Sequence, residues 1–245
     1  MNNCIHIDQL CIGYRMGRGQ KRVVAEGLTA TLAAGKLTCL LGCNGTGKST
    51  LLRTLAGLQP PLSGRISFGQ NRLPASFSKE VSVVLTEHPD LRNLSVSEVV
   101  GTGRMPYTNF WGTLTDEDHK AVAEAMGLVG ISGMAGRDFG MLSDGERQKV
   151  MIAKALAQQT PIIILDEPTA FLDYPSKREV MALLHRLAHE QEKTILLSTH
   201  DVELAKLYAD QIWFMDDSRL LTGTVHELNL EALFNLPVPS ERGEL

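Results

Sequence analysis

The sequence predicts an α/β fold with a mainly parallel sheet, an antiparallel β edge and an inserted α-helical subdomain. Short apolar stretches alternate with stretches of helical periodicity, which is typical of parallel strands connected by helices. Residues 162–165 are Ile-Ile-Ile-Leu, and a strand without polar alternation is expected to be covered on both faces. Residues 88–158 carry two helix-start signals, at Thr115 and Ser143, and this indicates a helical insertion.

The individual elements follow in chain order. Strands are expected at 5–14, 37–41, 81–85, 162–165 and 194–198, and a closing hairpin is expected at 211–215 and 219–222. Helices are expected from 47 to 57, from 115 to 126, and after Ser143, Pro175 and Asp201, with a short one at 228–234. The polar residues 15–22 predict a loop or hairpin tip.

These elements suggest one domain over residues 1–245. Its core is expected to comprise 1–87 and 159–225, the helical subdomain 88–158, and a short tail 226–245. The composition fits a globular chain of this size, with 43% hydrophobic and 21% charged residues.

Charge and hydropathy limit the cellular context. A net charge of -4 argues against binding to nucleic acid, which favours a basic surface. The first residues lack a signal peptide's charged and apolar regions, and no apolar run approaches the roughly 18 residues of a membrane span. We therefore expect a cytoplasmic protein that lies at the inner face of the cell membrane only through a partner.

Residues 42–49 form a complete phosphate-binding (Walker A) loop, Gly-Cys-Asn-Gly-Thr-Gly-Lys-Ser, between a predicted strand and a predicted helix. Backbone amides and the helix N-terminus supply positive potential for phosphates. Lys48 is expected to reach the β- and γ-phosphates of ATP, and Ser49 to bind Mg²⁺. The candidate nucleotide-binding residues here are Gly42, Asn44, Gly45, Thr46, Gly47, Lys48, Ser49 and Thr50.

The apolar strand 162–165 delivers two carboxylates, Asp166 and Glu167, to its C-terminal end. An apolar run followed by Asp-Glu is a weak signal alone, but it gains weight about 120 residues after a Walker A loop. Asp166 is expected to hold Mg²⁺ through water, and Glu167 to act as general base towards the attacking water.

Residues 142–146, Leu-Ser-Asp-Gly-Glu, would alone indicate only a helix N-cap. Together with both Walker motifs and the helical insertion, they resemble the signature of ATP-binding-cassette (ABC) ATPases, usually Leu-Ser-Gly-Gly-Gln. The resemblance implies a P-loop NTPase core of RecA-like type and hydrolysis of Mg-ATP. It also implies that Ser143 and Gly145 face the γ-phosphate of ATP held by a second copy of the chain.

The resemblance extends to other positions. Tyr14 is similar to the aromatic residue that stacks on adenine, and the less favoured alternative is a surface tyrosine at a strand end. Val24 looks like the aliphatic residue beneath that ring. Residues 171–173, Phe-Leu-Asp, resemble the D-loop that touches the partner subunit, through Asp173. His200 is similar to the switch histidine that contacts the γ-phosphate.

One position departs from the family pattern. The Q-loop glutamine, which the family places near Mg²⁺, aligns best with Glu87, and Thr86 is the less favoured register. A glutamate can accept a hydrogen bond from Mg-bound water but adds a negative charge and cannot donate.

Residues 95–107 resemble a segment found in the ATPases of iron-siderophore, haem and cobalamin importers, with Gly103-Arg104-Met105-Pro106-Tyr107 at its end. Tyr107, Phe110 and Trp111 then lie within five residues. Two interpretations remain open: a packed aromatic cluster inside the helical insertion, or a surface that receives a permease.

The resemblance implies particular partners. Because the chain has one Walker A loop and one signature, two copies are expected to face each other head to tail on two permease subunits, supplied by an external binding protein. The alternatives are an ATPase of another transport system, for a metal ion or for export, and a non-transport ABC ATPase such as an iron-sulfur assembly protein.

Four cysteines complete the sequence features. Cys4, Cys11, Cys39 and Cys43 have spacings that match no zinc motif, and disulfides are improbable in a cytosolic chain. Three are expected to be buried or half-buried thiols. Cys43 is the exception, because it lies inside the phosphate-binding loop.

Overall fold

The structure, a computed structural model, describes residues 3–17, 20–69, 76–86, 91, 93–170, 172–216 and 219–234. Its strands are β1 (Ile5–Arg15), β2 (Lys21–Leu32), β3 (Leu37–Leu41), β4 (Ser63–Phe68), β5 (Val81–Val84), β6 (Ile162–Leu165), β7 (Thr194–Ser198), β8 (Gln211–Asp216) and β9 (Arg219–Gly223). Its α-helices are α1 (Lys48–Leu55), α2 (Phe77–Glu80), α3 (Val96–Gly101), α4 (Asp116–Leu128), α5 (Asp144–Ala157), α6 (Tyr174–Glu190), α7 (Val202–Tyr208) and α8 (Leu230–Leu233).

The larger sheet has the strand order β5-β6-β7-β3-β8-β9. The first five strands are mutually parallel, and β9 runs antiparallel to β8 as the predicted closing hairpin. The prediction of a mainly parallel sheet with an antiparallel edge is therefore confirmed.

Both faces of this sheet are covered, as the apolar run of β6 predicts. Ile162 and Ile164 belong to one hydrophobic cluster, together with α1 and the smaller sheet, whereas Ile163 and Leu165 belong to the other, together with α6 and the helical insertion. This alternation follows from the period of two along a strand, which sends successive side chains to opposite faces.

A second sheet of three antiparallel strands, in the order β2-β1-β4, was not predicted in this form. The sequence prediction missed β2 and β4, and it placed Lys21 and Arg22 in a loop although both begin β2. Register shifts between Ile7 and Ile12 disturb the polar–apolar alternation that would reveal such strands.

The predicted helical insertion contains α3, α4 and α5, together with three short 3₁₀ helices at Thr102–Tyr107, Ser132–Met134 and Phe139–Met141. Capping boxes begin all three α-helices, at Ser95, Thr115 and Ser143. Pro175 occupies the second position of α6 rather than the expected first, since Asp173 is the N-cap. Within the described ranges, no helix has the length and apolar character needed to cross a membrane.

Candidate active site

Three parallel strands bring the predicted site residues to one edge of the larger sheet. The phosphate-binding loop follows β3, Asp166 and Glu167 follow β6, and His200 follows β7. Ligands of open parallel sheets bind at the carboxyl ends of the strands, so the topology places these groups where a nucleotide site is expected.

The phosphate-binding loop depends on a glycine immediately before α1. Gly47 has φ +106°, and a Cβ atom there would come within 2.5 Å of Val24 Cγ1. Any other residue would thus have to strain the backbone and displace Val24. α1 begins directly after this glycine, and the unpaired amide groups at a helix N-terminus are suited to binding phosphate.

Two carbonyl groups of the phosphate-binding loop hold the Lys48 side chain. Its Nζ donates hydrogen bonds of 2.8 Å to the carbonyl oxygens of Gly42 and Cys43, and the residue is only 6% exposed. Burial lowers the pKa of Lys48 from its ordinary value, while the neighbouring negative groups, Glu167 first among them, oppose that shift. Thr46 Oγ1 also donates to the Cys43 carbonyl, at 3.0 Å, which closes the loop on itself.

A pocket of ≈ 570 Å³ opens beside this loop, within the size range of small-molecule sites. Tyr14 and Val24 line it, and the Tyr14 hydroxyl lies 3.0 Å from Thr50 Oγ1. The remaining lining residues are Arg22, Asn44, Gly45, Gly47, Lys48, Ser49, Thr50 and Glu167. The sequence analysis missed Arg22, which it placed in a loop; in the structure Arg22 pairs with Tyr14 across β1 and β2.

Ser198 ties the two carboxylate residues together, and this residue was also missed. Its hydroxyl donates to Asp166 Oδ1 at 2.7 Å and accepts from the backbone N–H of Glu167 at 2.9 Å. Asp166 is 5% exposed, so Ser198 provides one of the hydrogen bonds that a buried carboxylate requires. The only sequence signal was a hydroxyl at the end of a strand, two residues before His200.

Glu167 and His200 are in direct contact. His200 Nε2 lies 2.6 Å from Glu167 Oε1, and both side chains remain partly exposed to solvent. Glu167 has φ +51°, which is uncommon for a residue with a side chain and costs on the order of 1–3 kcal/mol. The Ser198 hydrogen bond fixes that backbone, and such strain is concentrated at functional sites.

The signature segment lies elsewhere. Ser143 caps α5, and the Glu146 carboxylate accepts hydrogen bonds from the backbone N–H and hydroxyl of Ser143 at 2.9 and 3.0 Å. The Ser143 N–H, followed by Arg137 at 2.8 Å, holds the pKa of Glu146 below its usual value. The capping box thus explains how a glutamate fits at the fifth signature position. Among the described residues, the pocket lining includes none from 142–146.

Three further predictions concern the D-loop and the Q-loop. Asp173 is the N-cap of α6 and accepts from the Ser176 N–H at 3.0 Å. Phe171 and Glu87 lie outside the described residues. Thr86 is the alternative Q-loop register. Its hydroxyl donates to the Asp166 carbonyl oxygen at 2.9 Å, so Thr86 contacts the chain directly after β6.

The position of Cys43 leads to a testable prediction. Its side chain is exposed, whereas Cys4, Cys11 and Cys39 are buried. N-ethylmaleimide is therefore expected to inactivate the protein by blocking the phosphate-binding loop, and ATP is expected to protect it, as followed by ATPase rate and by mass of the labelled peptide. Cys43→Ser should resist the reagent; equal sensitivity of that variant would place the relevant thiol elsewhere.

Comparison with known proteins agrees with this geometry. The sequence profile of the ABC transporter family matches residues 25–170. The ABC transporter ATP-binding protein MJ0873 of Methanocaldococcus jannaschii is 38% identical over 218 residues, covering 87% of this chain and 73% of that protein. The iron(3+)-hydroxamate import ATP-binding protein FhuC of Bacillus subtilis is 36% identical over 211 residues, covering 84% and 77%.

The fold has close counterparts among solved structures. An inward-facing structure described as a metal-chelate type ABC transporter superposes with a TM-score of 0.83 and 29% sequence identity, covering 96% of this chain and 90% of the matched chain. The similarity includes both the sheet core and the helical insertion, since it covers nearly the whole chain.

Proposed function

Because the chain belongs to the ABC transporter family and is an ATPase of that family, we propose that it drives an importer of a metal chelate or corrinoid, in the iron-siderophore, haem and cobalamin class. The similarity to the iron(3+)-hydroxamate import protein over most of both chains carries this proposal. The superposition on a metal-chelate type transporter supports it independently.

In the proposed reaction, the γ-phosphate of ATP lies between Lys48 and His200, and water attacks it with Glu167 as general base. The contact between Glu167 and His200 supports this assignment, since the histidine can orient the carboxylate. Mg²⁺ is assigned to Ser49 and Asp166, and to Glu87 on the sequence alone. The oxygen donors of this set are those that Mg²⁺ prefers.

A second copy of the chain is proposed to complete each ATP site. Ser143 and Gly145 begin α5, and neither lines the pocket that holds Lys48 among the described residues. A head-to-tail pair would place this helix N-terminus, whose dipole favours anions, against the γ-phosphate bound by the partner. Asp173, at the start of α6, is assigned to the contact between the copies.

The proposed permease surface includes Phe110 and Trp111. They are 94% and 84% exposed, with their rings edge to face at 5.5 Å, so the interpretation of a packed cluster fails for this pair. Tyr107 behaves differently: its ring lies over the Arg104 guanidinium, and its hydroxyl donates to the Gln158 carbonyl at 3.0 Å. Exposed aromatic anchors of this kind favour protein interfaces.

Arg104 connects Tyr107 to the helices of the insertion. Its buried guanidinium donates to Asp118 Oδ1 at 2.8 Å and to the Ala157 carbonyl at 2.9 Å. Hydrogen bonds from the Thr115 backbone and then from Arg104 lower the pKa of Asp118 to about 2, so the pair stays ionised at neutral pH. Tyr107, whose ring stacks with this guanidinium, is thereby connected to both α4 and α5.

The proposed function is tested by transport. The chain is assembled in vesicles with any permease and binding protein encoded beside it, and these vesicles are expected to drive ATP-dependent uptake of an iron hydroxamate, haem or cobalamin. The same vesicles with Lys48→Ala should show none. Transport of a free metal ion or export instead would support the alternative transport systems, and the absence of any neighbouring permease would favour a non-transport ATPase.

The aromatic pair provides a second test. Replacing Phe110 and Trp111 by Ser is expected to weaken permease binding about 30-fold or more, the effect of losing an interface anchor worth about 2 kcal/mol. Basal ATPase activity should be retained, because neither residue lines the nucleotide pocket. Leu207→Ser is the matched control, an exposed apolar residue on α7. Equal permease affinity in both variants would remove this surface from the interface.

A further inference from the structure

A cluster of two histidines and an aspartate lies at the sheet edge opposite the nucleotide site. His185 and His189 are four residues apart on α6 and share one face of that helix, and Asp210 lies just before β8. One potential ligand atom from each residue lies within 4.8 Å of the other two. The cluster adjoins Leu37, at the start of β3, whereas the phosphate-binding loop follows the end of that strand, roughly 13 Å away.

The hydrogen bonds determine which ring nitrogens carry protons. His185 Nδ1 lies 2.8 Å from the Tyr208 carbonyl oxygen, and His189 Nδ1 lies 2.9 Å from the His185 carbonyl oxygen. Because a carbonyl oxygen only accepts, both Nδ1 atoms must carry the proton. In the neutral rings, each Nε2 therefore presents a lone pair, as in metal-bound histidines whose other nitrogen donates to a carbonyl.

One contact of His189 is unfavourable when its ring is neutral. Its Nε2 lies 3.1 Å from Asp210 Oδ1, so in the neutral ring a lone pair faces a carboxylate oxygen. Only a second proton or a cation between the two atoms makes this contact favourable. For His185, the described residues provide no hydrogen bond to Nε2, and its ring centroid lies 4.2 Å from that of His189.

Asp210 is positioned for such a role. Its Oδ2 accepts from the Leu37 N–H at 2.9 Å, and its own N–H donates to the Leu37 carbonyl oxygen, also at 2.9 Å. These bonds fix the carboxylate and leave Oδ1 directed at His189. Lys36 Nζ lies 3.5 Å from the same Oδ1, but it is nearly half exposed and can turn into solvent.

We propose that His185 Nε2, His189 Nε2 and Asp210 Oδ1 bind a divalent transition-metal cation of the Zn²⁺ type. Two imidazoles and a carboxylate suit Zn²⁺ better than Mg²⁺ or Ca²⁺, which prefer oxygen ligands. In a tetrahedral zinc site the ligand atoms are about 3.4 Å apart, so a cluster whose ligand atoms lie within 4.8 Å of one another would have to contract on binding, and water supplies the fourth ligand. The ion connects α6 to the start of β8, apart from the ATP site.

Zinc binding to the untagged, full-length protein tests this proposal. The metal-free chain is titrated with Zn²⁺ in competition with a chromophoric chelator. One equivalent is expected to bind the wild type, and His185→Ala/His189→Ala is expected to lose it. His6→Ala is the matched control, because His6 Nε2 lies 3.0 Å from Cys4 Sγ and forms the alternative zinc-binding pair. The control should retain the equivalent.

A more conservative variant distinguishes the loss of a zinc ligand from misfolding. His189→Gln can still donate to Asp210 and is expected to weaken zinc binding at least about 10-fold while preserving the basal ATPase rate and the melting temperature without zinc. Co²⁺ bound to the wild type should show the absorption of nitrogen and oxygen ligands without a thiolate band. Zinc binding unchanged in both His variants, loss of the equivalent in His6→Ala, a thiolate band, or no zinc bound by the wild type would each overturn the proposal.

Discussion

Lys48→Ala is expected to abolish ATP hydrolysis, with a loss of at least about 10²–10³-fold in rate. The ammonium group is the buried cation of the phosphate-binding loop, and it compensates negative charge that increases on the transferring phosphate. An alanine leaves the Gly42 and Cys43 carbonyl oxygens without that donor. The measurement is phosphate release by the purified chain over a range of ATP concentrations.

Lys120→Ala is the control for this variant, since Lys120 is an exposed helix residue whose ion pair with Glu124 is long, at 3.9 Å. Its rate should equal that of the wild type. A near-normal rate for Lys48→Ala would show that the loop at 42–49 is not the site of hydrolysis.

Glu167→Gln is expected to slow hydrolysis by about 10²- to 10⁴-fold while ATP still binds. Glutamine has nearly the same shape and can maintain the contact with His200, but it cannot take a proton from the attacking water. Single-turnover hydrolysis and nucleotide binding are measured on the same preparation. Glu190→Gln, at the C-terminal end of α6, serves as the charge-matched control and should be normal. Loss of ATP binding together with hydrolysis would assign Glu167 a structural role instead of general base.

Much of the fold and the site could be predicted because their signals are local. The phosphate-binding loop, the apolar strand before Asp166 and the N-cap at Ser143 each need only a few consecutive residues to be recognised. The structure forms the corresponding strand, loop and helix in each case. The roles of the individual residues remain predictions, which the variants above test.

The elements that sequence analysis missed depend on contacts between distant residues. β2 and β4 pair with β1 through an irregular register, so neither shows clear alternation. Arg22 reaches the pocket only because β2 lies beside Tyr14, and Ser198 reaches Asp166 only because β6 and β7 are neighbours. The pairing of His185 and His189 with Asp210 likewise depends on the tertiary fold.

The central claim is that ATP is bound between two copies of the chain, with the phosphate-binding loop of one facing Ser143 of the other. The most direct test is the mass of Glu167→Gln in solution, measured by light scattering during size-exclusion chromatography, with and without Mg-ATP. The predicted result is a change from the chain mass of 26.8 kDa to twice that value with Mg-ATP, abolished when Ser143→Arg is added to the same chain. A protein that binds Mg-ATP but remains at the chain mass would contradict the claim, as would a dimer unaffected by Ser143→Arg.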